Sequence, residues 1–333
     1  MEVLKKVLNS YAIYPLAIEE VTERLFRVSD GQREYALKKS LLSKESLANF
    51  ENVYHTAFSQ HIATILPVYL TKSGNLYTEM NQTIFYLTPW IEYSNTKQSQ
   101  LIENLYKNIG AVHAKTKQTQ LISTERLIRE FTTYKAFCEH AANELITFVQ
   151  QFEKSRFMSP FELLVCTHYR DLEFTLKEII KRIQHLIDEQ EEEISWNFSL
   201  CHGNVRISHT LGAHMINWEN AYYDNAVMDL AAFFKQEVSH YDQPRDALME
   251  QFSTYNHENE LNQHELNLLI IHLLNPTNYL KIVQQYAGHT SVDTMVTRVR
   301  KLQHAHRQLL FGLQFSKYVE TEYEVSSLDE LES

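Results

Sequence analysis

Glycine is scarce in this chain. Only 7 of its 333 residues are glycine, about 2%, against an average near ~7%, and no two of them lie closer than nine positions. Dinucleotide-binding loops and P-loops need several glycines within a few residues, so that backbone amides can approach phosphates. The sequence therefore excludes both kinds of nucleotide site, and a bound nucleotide would need a different cradle.

Cysteine and long apolar runs are also in short supply. The longest apolar run, residues 268–274, is interrupted by His272 and is too short to span a bilayer. The first six residues lack the apolar core of a secretion signal. We therefore expect no membrane association and synthesis in the cytoplasm. The three cysteines are odd in number and far apart, which favours a reducing compartment over a disulfide framework; they are Cys138, Cys166 and Cys201.

Basic residues are outnumbered by acidic ones, 31 to 42, which gives a formal net charge of −11. Nucleic acids and anionic membranes are bound by clustered lysine and arginine, so the sequence predicts no nucleic-acid partner. The apolar content of 44% is ordinary for a globular protein, and 333 residues suffice for one large core or two lobes.

The hydrophobic pattern predicts an α+β organisation. In the first 92 residues, short alternating runs with turn residues between them indicate strands, and Ser43 is a candidate N-cap for one helix. From residue 101 onward helical periodicity dominates, interrupted by a β-like island at residues 198–219. The predicted domains are 1–92, 93–318 and an acidic tail at 319–333. The predicted strands are 23–28, 33–38, 65–70 and 83–87, and the longer predicted helices are 127–153, 161–189, 245–256, 263–274 and 291–317.

Five short motifs carry a family resemblance. They are Tyr-Ala-Leu-Lys ending at Lys38, Gly-Ala-Val-His ending at His113, His-Gly-Asn ending at Asn204, Asn-Trp-Glu starting at Asn217 and Asp-Leu-Ala starting at Asp229. In this order they resemble the aminoglycoside phosphotransferase and choline kinase superfamily. The resemblance implies a protein-kinase-like two-lobed fold, with a small β-rich N-lobe and a larger α-helical C-lobe.

The same resemblance assigns roles to three polar positions. The superfamily loop reads His-Gly-Asp with an Asn five residues later, and a following strand ends in Asp before an aromatic residue. The first Asp orients or deprotonates the attacking hydroxyl, while the Asn and the second Asp bind Mg²⁺. In this chain the base falls on Asn204 and the metal positions fall on His209 and Asn217.

Each of these departures removes chemistry. An amide is no general base near neutral pH, and losing such a base typically costs ~10²–10⁴ in rate. Asn217 removes a negative charge from the metal position, and the His209 nitrogen suits Mg²⁺ poorly. We therefore predict a catalytically inactive kinase fold with no metal and no cofactor. The degenerate positions are Asn204, His209 and Asn217.

Two further residues are candidates for nucleotide binding. Lys38 matches the lysine that grips phosphates, and Glu51 is its expected helical partner. The alternative is that Lys38 is a surface lysine like Lys39. The segment 23–27, which would cover the phosphates, has no glycine and contains Phe26, so we expect it to obstruct the cleft.

The remaining polar residues have simpler interpretations. Cys201, His202, His209 and His214 match no familiar zinc spacing. Glu219 could bind a cation together with Asp224, although a solvated turn carboxylate is commoner. Arg206 is expected to bond loop carbonyls, and Asp229 to be either an N-cap or a brace of the catalytic loop.

A narrower resemblance concerns the run at Tyr222, Tyr223 and Asp224 together with the Asp229 helix and the overall length. These features resemble the spore coat protein S group of endospore-forming bacilli. The resemblance implies synthesis in the mother-cell cytoplasm, deposition on the endospore coat and spore coat proteins as partners. Three functions remain open: an inactive scaffold, an active small-molecule phosphotransferase with displaced catalytic groups, and a nucleotide-binding regulator.

Overall fold

The structure is a computed structural model and describes residues 2–40, 42–92, 97–188, 193–239, 245–290 and 292–324. The chain forms two compact units, each built from separated segments. The predicted boundary at residue 92 separates the first sheet from the first long helical segment, but the two units do not divide there. The first unit comprises Met1–Gln118, Phe198–Ala226 and Ser253–Glu260, and the second comprises Thr119–Asn197, Val227–Phe252 and Leu261–Ser333.

The first unit opens with a helix and an antiparallel sheet. Helix α1 packs its apolar side, including Val7 and Leu8, against one face of a five-stranded sheet of order β1-β2-β3-β5-β4. Sequence periodicity found three of these strands and missed α1, β1 and β4. The bounds are α1 Glu2–Ser10, β1 Ala17–Thr22, β2 Leu25–Ser29, β3 Glu34–Ser40, β4 Thr78–Met80 and β5 Thr83–Pro89.

Strand register decides which side chains share a face of this sheet. Leu37 lies opposite Phe26 and Leu87, and all three belong to the core beneath α1. Lys38 lies opposite Leu25 and Tyr86. Because successive side chains alternate between faces, Lys38 and Tyr86 point away from that core together.

Helix α2, Lys44–Ser59, begins where the sequence predicted. Ser43 is its N-cap, and Ser43 and Ser46 form a reciprocal capping box. The following predicted strand at residues 65–70 is wrong, since those residues form no strand. Ile65 makes only an isolated bridge to Met215. Pro67 has no backbone N–H to contribute to a ladder, which disfavours continued pairing.

The later elements match the predicted helical pattern closely, with α10 added and residues 245–256 divided between two helices. In chain order they are α3 Gln98–Thr116, β6 Gln118–Ser123, α4 Thr124–Glu153, α5 Pro160–Asp188, β7 Glu193–Cys201, β8 Thr210–Leu211, β9 His214–Met215, β10 Tyr222–Asp224, α6 Val227–Glu237, α7 Arg245–Glu250, α8 Phe252–Glu258, α9 Gln263–Leu273, α10 Thr277–Ala287 and α11 Met295–Val319. Two 3-10 turns, Ile207–His209 and Trp218–Asn220, flank β8 and β9. Within the first unit the end of β7 pairs antiparallel with β10.

The second unit is helical, and aromatic side chains fill its core. Phe234 of α6 packs against Phe311 and Phe315 of α11 with ring centroids 5.3 and 5.2 Å apart. Asp229 is the third residue of α6 and is buried, so it is not the N-cap that the sequence suggested. No helix in the described part of the chain combines the length and apolar character needed to cross a bilayer.

The predicted acidic tail begins later than expected. Val319 is the last residue of α11 and is fully buried, and a π-helical turn follows over Glu320–Glu324. Glu320 accepts a hydrogen bond from the buried Arg182 guanidinium at 2.9 Å. Tyr323 packs edge-on against Phe252. Residues 319–324 are therefore part of the folded unit, and the rest of the predicted tail, 325–333, lies outside the described residues.

Candidate functional site

The site is built around His202, the residue that follows β7. Its ring is fully buried, 4.6 Å from the ring of Trp218. Nδ1 accepts a hydrogen bond from the backbone N–H of Asn204 at 3.2 Å, and Nε2 lies 2.8 Å from the carbonyl oxygen of Ile216. Nε2 therefore carries the proton and donates it to Ile216, so His202 is a neutral ring that ties the loop to the strand region.

Gly203 brings this loop against the second 3-10 turn. Its backbone has φ +74, and a Cβ atom there would lie 2.1 Å from the carbonyl oxygen of Asn220. No other residue fits both the left-handed conformation and this separation. The glycine that the His-Gly motif requires thus has a steric reason that is independent of catalysis.

Asn204 occupies the position where the superfamily has its base. The Arg206 Nε donates to Asn204 Oδ1 at 3.0 Å, so the amide oxygen is already occupied. The expectation that Arg206 bonds loop carbonyls is thus replaced by a bond to a side chain. The remaining polar group of the Asn204 amide is NH₂, which donates hydrogen bonds and cannot accept a substrate proton.

His209 takes the first metal position. Its Nδ1 lies 2.9 Å from the carbonyl oxygen of Asn204, so Nδ1 carries the proton and Nε2 keeps the lone pair. Burial lowers the pKa of His209 to about 4. His209 is therefore neutral at pH 7 and contributes no charge to the cleft.

Asn217 takes the second metal position and contacts Lys38 directly. Its backbone is left-handed, with φ 70 and ψ 50, a conformation that asparagine tolerates well. The Lys38 ammonium donates to Asn217 Oδ1 and lies 5.6 Å from the centre of the Tyr86 ring. Burial lowers the pKa of Lys38, Glu219 opposes that effect, and Arg24 adds to it. The predicted lysine and the second degenerate position are thus brought together.

Glu219 is the acidic neighbour of Lys38, where the sequence predicted Glu51. Glu219 accepts a hydrogen bond of 2.6 Å from the hydroxyl of Tyr86, which is buried. It is therefore not the solvated turn carboxylate that we expected. Glu51 instead accepts a hydrogen bond from Tyr77 and lines a different cavity, of about 870 Å³. The predicted pairing of Lys38 with Glu51 is wrong, because helical spacing did not reveal which side of α2 faces β3.

The cleft has a volume of about 510 Å³. Phe26 does not fill it, since that side chain lies on the opposite face of the sheet with the α1 core. Arg24 lines the cleft instead, and its Nε donates to the carbonyl oxygen of Lys39 at 3.3 Å. The polar residues lining the cleft are Thr22, Arg24, Lys38, Lys39, Ser46, Asn204, His209, Asn217, Glu219 and Asn220.

These donors do not fit a magnesium ion. Among the described lining residues Glu219 is the sole carboxylate, and one of its oxygens accepts from Tyr86. Mg²⁺ prefers carboxylate and water oxygens in a near-octahedral arrangement. The Asn217 amide oxygen already accepts from Lys38, and neither this amide nor the neutral His209 imidazole supplies negative charge. The cations Arg24, Lys38 and Lys39 outnumber the single acid, which further disfavours a divalent cation.

Cys201, His202, His209 and His214, whose spacing matches no familiar zinc site, each contact a backbone group. Both ring nitrogens of His202 are bonded to backbone groups, and His214 Nδ1 lies 3.0 Å from the carbonyl oxygen of Ala63. Cys201 Sγ lies 3.6 Å from the carbonyl oxygen of Asp224. These side chains serve as local backbone anchors.

Solved structures share this architecture. An aminoglycoside phosphotransferase from Alicyclobacillus acidocaldarius is 15% identical, with a TM-score of 0.63 over 96% of each chain. The chain has a kinase-like fold of the aminoglycoside phosphotransferase type. A microcompartment-associated aminopropanol kinase (10% identity, TM-score 0.54, 95% of this chain and 97% of the other) and an amicoumacin kinase (15%, 0.51, 91% and 92%) are also similar. These identities establish the fold alone.

Comparisons of the sequence found no match. No protein-family model matches the chain, and no curated protein matches it. Lys38, Asn204, His209 and Asn217, which the motifs singled out, line one cleft. The motifs missed Arg24 and Tyr86, although the alternation of β5 could have indicated that Tyr86 and Lys38 share a face.

Proposed function

We propose that this chain is a catalytically inactive kinase-fold protein whose role is to bind other proteins. The observation that carries the proposal is the hydrogen bond between the Lys38 ammonium and the Asn217 amide. The family resemblance assigns this lysine to the phosphates of a nucleotide and this position to a metal ligand. Here the two side chains satisfy each other.

The charges of the cleft support the same conclusion. Phosphoryl transfer depends mainly on positioning and on electrostatic stabilisation by metal ions of the charge on the transferred group. Asn204 cannot accept the proton of an attacking hydroxyl, and neither Asn217 nor His209 carries a negative charge for Mg²⁺ at neutral pH. The base and the metal are thus lost independently, so their effects on rate compound.

The proposed setting is the bacterial endospore coat. It rests on the narrower resemblance of the Tyr222 to Asp224 run and of the Asp229 helix to the spore coat protein S group, including the endospore coat-associated protein YutH. Under this proposal the chain is made in the mother-cell cytoplasm and deposited on the forming spore. Its partners are then other coat proteins.

A thermal-shift and turnover experiment tests the inactivity. Purified chain should show no rise in melting temperature with Mg-ATP and no phosphate release or transfer to amino alcohols or aminoglycosides. A rise that tracks ligand concentration, as linkage requires of a true ligand, would refute the proposal. The double variant Asn204→Asp, Asn217→Asp restores the family residues. Its control is Asn220→Asp, which adds a carboxylate to the same cleft at another position.

The competing function is an active small-molecule kinase with displaced groups. Glu219 favours it, since this carboxylate lies in the cleft near Lys38. If wild-type protein turns over ATP and Glu219→Gln abolishes that turnover, the chain is an enzyme of this kind. If ATP binds without metal and without turnover, and Lys38→Ala removes the binding, the chain is a nucleotide-binding regulator.

A further inference from the structure

The second unit carries an exposed apolar surface with basic residues at its edge, and the proposed function does not account for this surface. The loop between α4 and α5 exposes Phe157, of which 82% is accessible, together with Met158. The start of α11 exposes Met295 and Val296, the latter 68% accessible. A soluble protein exposes single apolar residues routinely, but a cluster of large ones marks an interaction site.

Tyr286 connects the two halves of this surface. Its hydroxyl lies 2.9 Å from the Ser159 hydroxyl, next to Met158, and its ring stacks on Phe161 at 4.2 Å. On the other side the Arg298 guanidinium lies 5.5 Å from the Tyr286 ring, and Met295 is one helical turn before Arg298. We call the exposed residues Phe157, Met158, Met295 and Val296 with the intervening Tyr286 the apolar-basic patch.

The charge of the patch is opposite to that of the whole chain. Lys154 and Arg156 are exposed beside Phe157, and the nearby acids are Glu153 and Glu162, the latter accepting from the Ser159 N–H at 2.6 Å. Residues 289–301 contain three cations and one acid, Asp293, which pairs with Lys301 at 2.6 Å. In a chain of net charge −11 this is a local excess of positive charge. It selects a partner that is both apolar and acidic.

The C-terminal segment of the chain has that chemistry. Residues 325–333, Val-Ser-Ser-Leu-Asp-Glu-Leu-Glu-Ser, contain three acids, no base and the apolar residues Val325, Leu328 and Leu331. The described chain ends at Glu324, one residue after Tyr323, whose ring lies 6.0 Å from that of Tyr318 near the C-terminal end of α11. The segment therefore starts at the opposite end of α11 from the patch.

Residues 325–333 are too short to reach the patch of the same molecule. Helix α11 has 25 residues and so is about 37 Å long, at 1.5 Å per residue. Even fully extended, the seven residues from Glu324 to Leu331 span at most ~25 Å, at 3.3–3.6 Å per residue. The apolar side chains of the segment therefore cannot reach the patch of the same molecule.

We propose that residues 325–333 of one molecule bind the apolar-basic patch of a second copy of this chain. The two surfaces differ, so the contact is head-to-tail. Each molecule keeps a free tail or a free patch after pairing, and the contact extends into open chains unless its rotation closes a ring. Electrostatic steering contributes, so salt weakens the association.

Sedimentation velocity of the full chain over a range of concentrations tests this. We expect the average mass to rise with concentration at low salt and to fall towards the monomer at high salt. Truncation after Glu324 and Phe157→Glu should each weaken association by about tenfold or more, as loss of a central anchor does. Phe174→Glu on α5, which is 57% exposed, is the matched control and should leave association unchanged.

Charge reversal distinguishes the proposed contact from others. Arg156→Glu should weaken association, Arg129→Glu should not, and mixing Arg156→Glu chains with chains carrying Asp329→Lys and Glu330→Lys should restore it between the two variants. A full chain that stays monomeric at all concentrations overturns the proposal. So does association that survives truncation, or a patch that binds anionic lipid vesicles in a chain that does not self-associate.

Discussion

Replacing Asn217 with alanine probes the contact on which the proposed inactivity depends. In the native chain the largely buried Lys38 ammonium donates to the Asn217 amide oxygen. Asn217→Ala removes that acceptor and leaves the Tyr86 ring and Glu219 as the remaining favourable neighbours. We therefore expect the variant to fold with reduced stability, because a buried cation loses hydrogen bonding.

The magnitude has two parts. Leaving a buried polar group without its partner costs about 1–3 kcal/mol, and the open cleft lets water reach Lys38, so we expect the lower half of this range. Alanine in a left-handed conformation adds roughly 1–2 kcal/mol. Asn81→Ala isolates the second part, since Asn81 is exposed and left-handed with φ 53. The difference between the two variants gives the worth of the Lys38 contact, about 1–2 kcal/mol.

The pH dependence gives an independent check. Burial lowers the pKa of Lys38 below its ordinary 10.5, so the unfolded chain binds the proton more tightly than the folded chain does. The contribution of Lys38 to stability therefore rises as the pH increases from its pKa in the folded chain to its pKa in the unfolded chain. In Asn217→Ala the pKa falls further, so the extra loss should be full near pH 7 and should shrink in alkaline solution, where the lysine is neutral in both proteins.

The assay is equilibrium urea unfolding followed by tryptophan fluorescence, since Trp218 is buried beside the site. Equal stability losses for Asn217→Ala and Asn81→Ala would refute the reasoning. A difference that stays constant from neutral to alkaline pH would also refute it, because the loss would then not involve the lysine charge.

Two further predictions concern the second unit. His168 and His306 stack with ring centroids 3.5 Å apart, and burial lowers the pKa of His168 to about 4. The free energy of unfolding should therefore fall as the pH drops below 6.5, by up to ~1.4 kcal/mol per pH unit for each proton that the unfolded chain takes up. His168→Gln should make this pH dependence less steep, as measured by acid unfolding. Arg182→Met leaves the carboxylates of Glu178 and Glu320 without their guanidinium and should cost about 3–5 kcal/mol by chemical denaturation. Glu320→Gln should cost about 1 kcal/mol or less, because that carboxylate is partly exposed. Equal losses for the Arg182 and Glu320 variants would contradict this account.

Local patterns predicted most elements of the fold. The capping box at Ser43, the strand containing Lys38 and the long helices follow from side-chain periodicity and turn chemistry, which are properties of neighbouring residues. The strand predicted at residues 65–70 failed because its apolar side chains fit a partly buried loop as well as a strand, with Ile65 and Leu66 buried and Leu70 exposed. The helix α1 was missed because nine residues give too short a pattern to stand out.

The sequence indicated which residues to examine at the site but not which residues they contact. The motifs singled out Lys38, Asn204, His209 and Asn217, and the structure shows that these four residues line one cleft. The partner of Lys38 could not be read from spacing, because Glu219 lies 181 positions further along the chain and is held by Tyr86. The direction of Phe26 was wrong because the register of β2 against β3 decides it, and that register comes from long-range pairing.

The close approach of Gly203 to the Asn220 carbonyl separates the shape of this bend from its charge. The 2.1 Å that a Cβ atom at residue 203 would leave to the Asn220 oxygen is a contact between main-chain atoms. It requires no carboxylate at position 204 or 217, whereas a methyl group at residue 203 would deform the bend at once. Substitutions that restore carboxylates at 204 and 217 can therefore test the chemistry of the cleft without removing this steric contact.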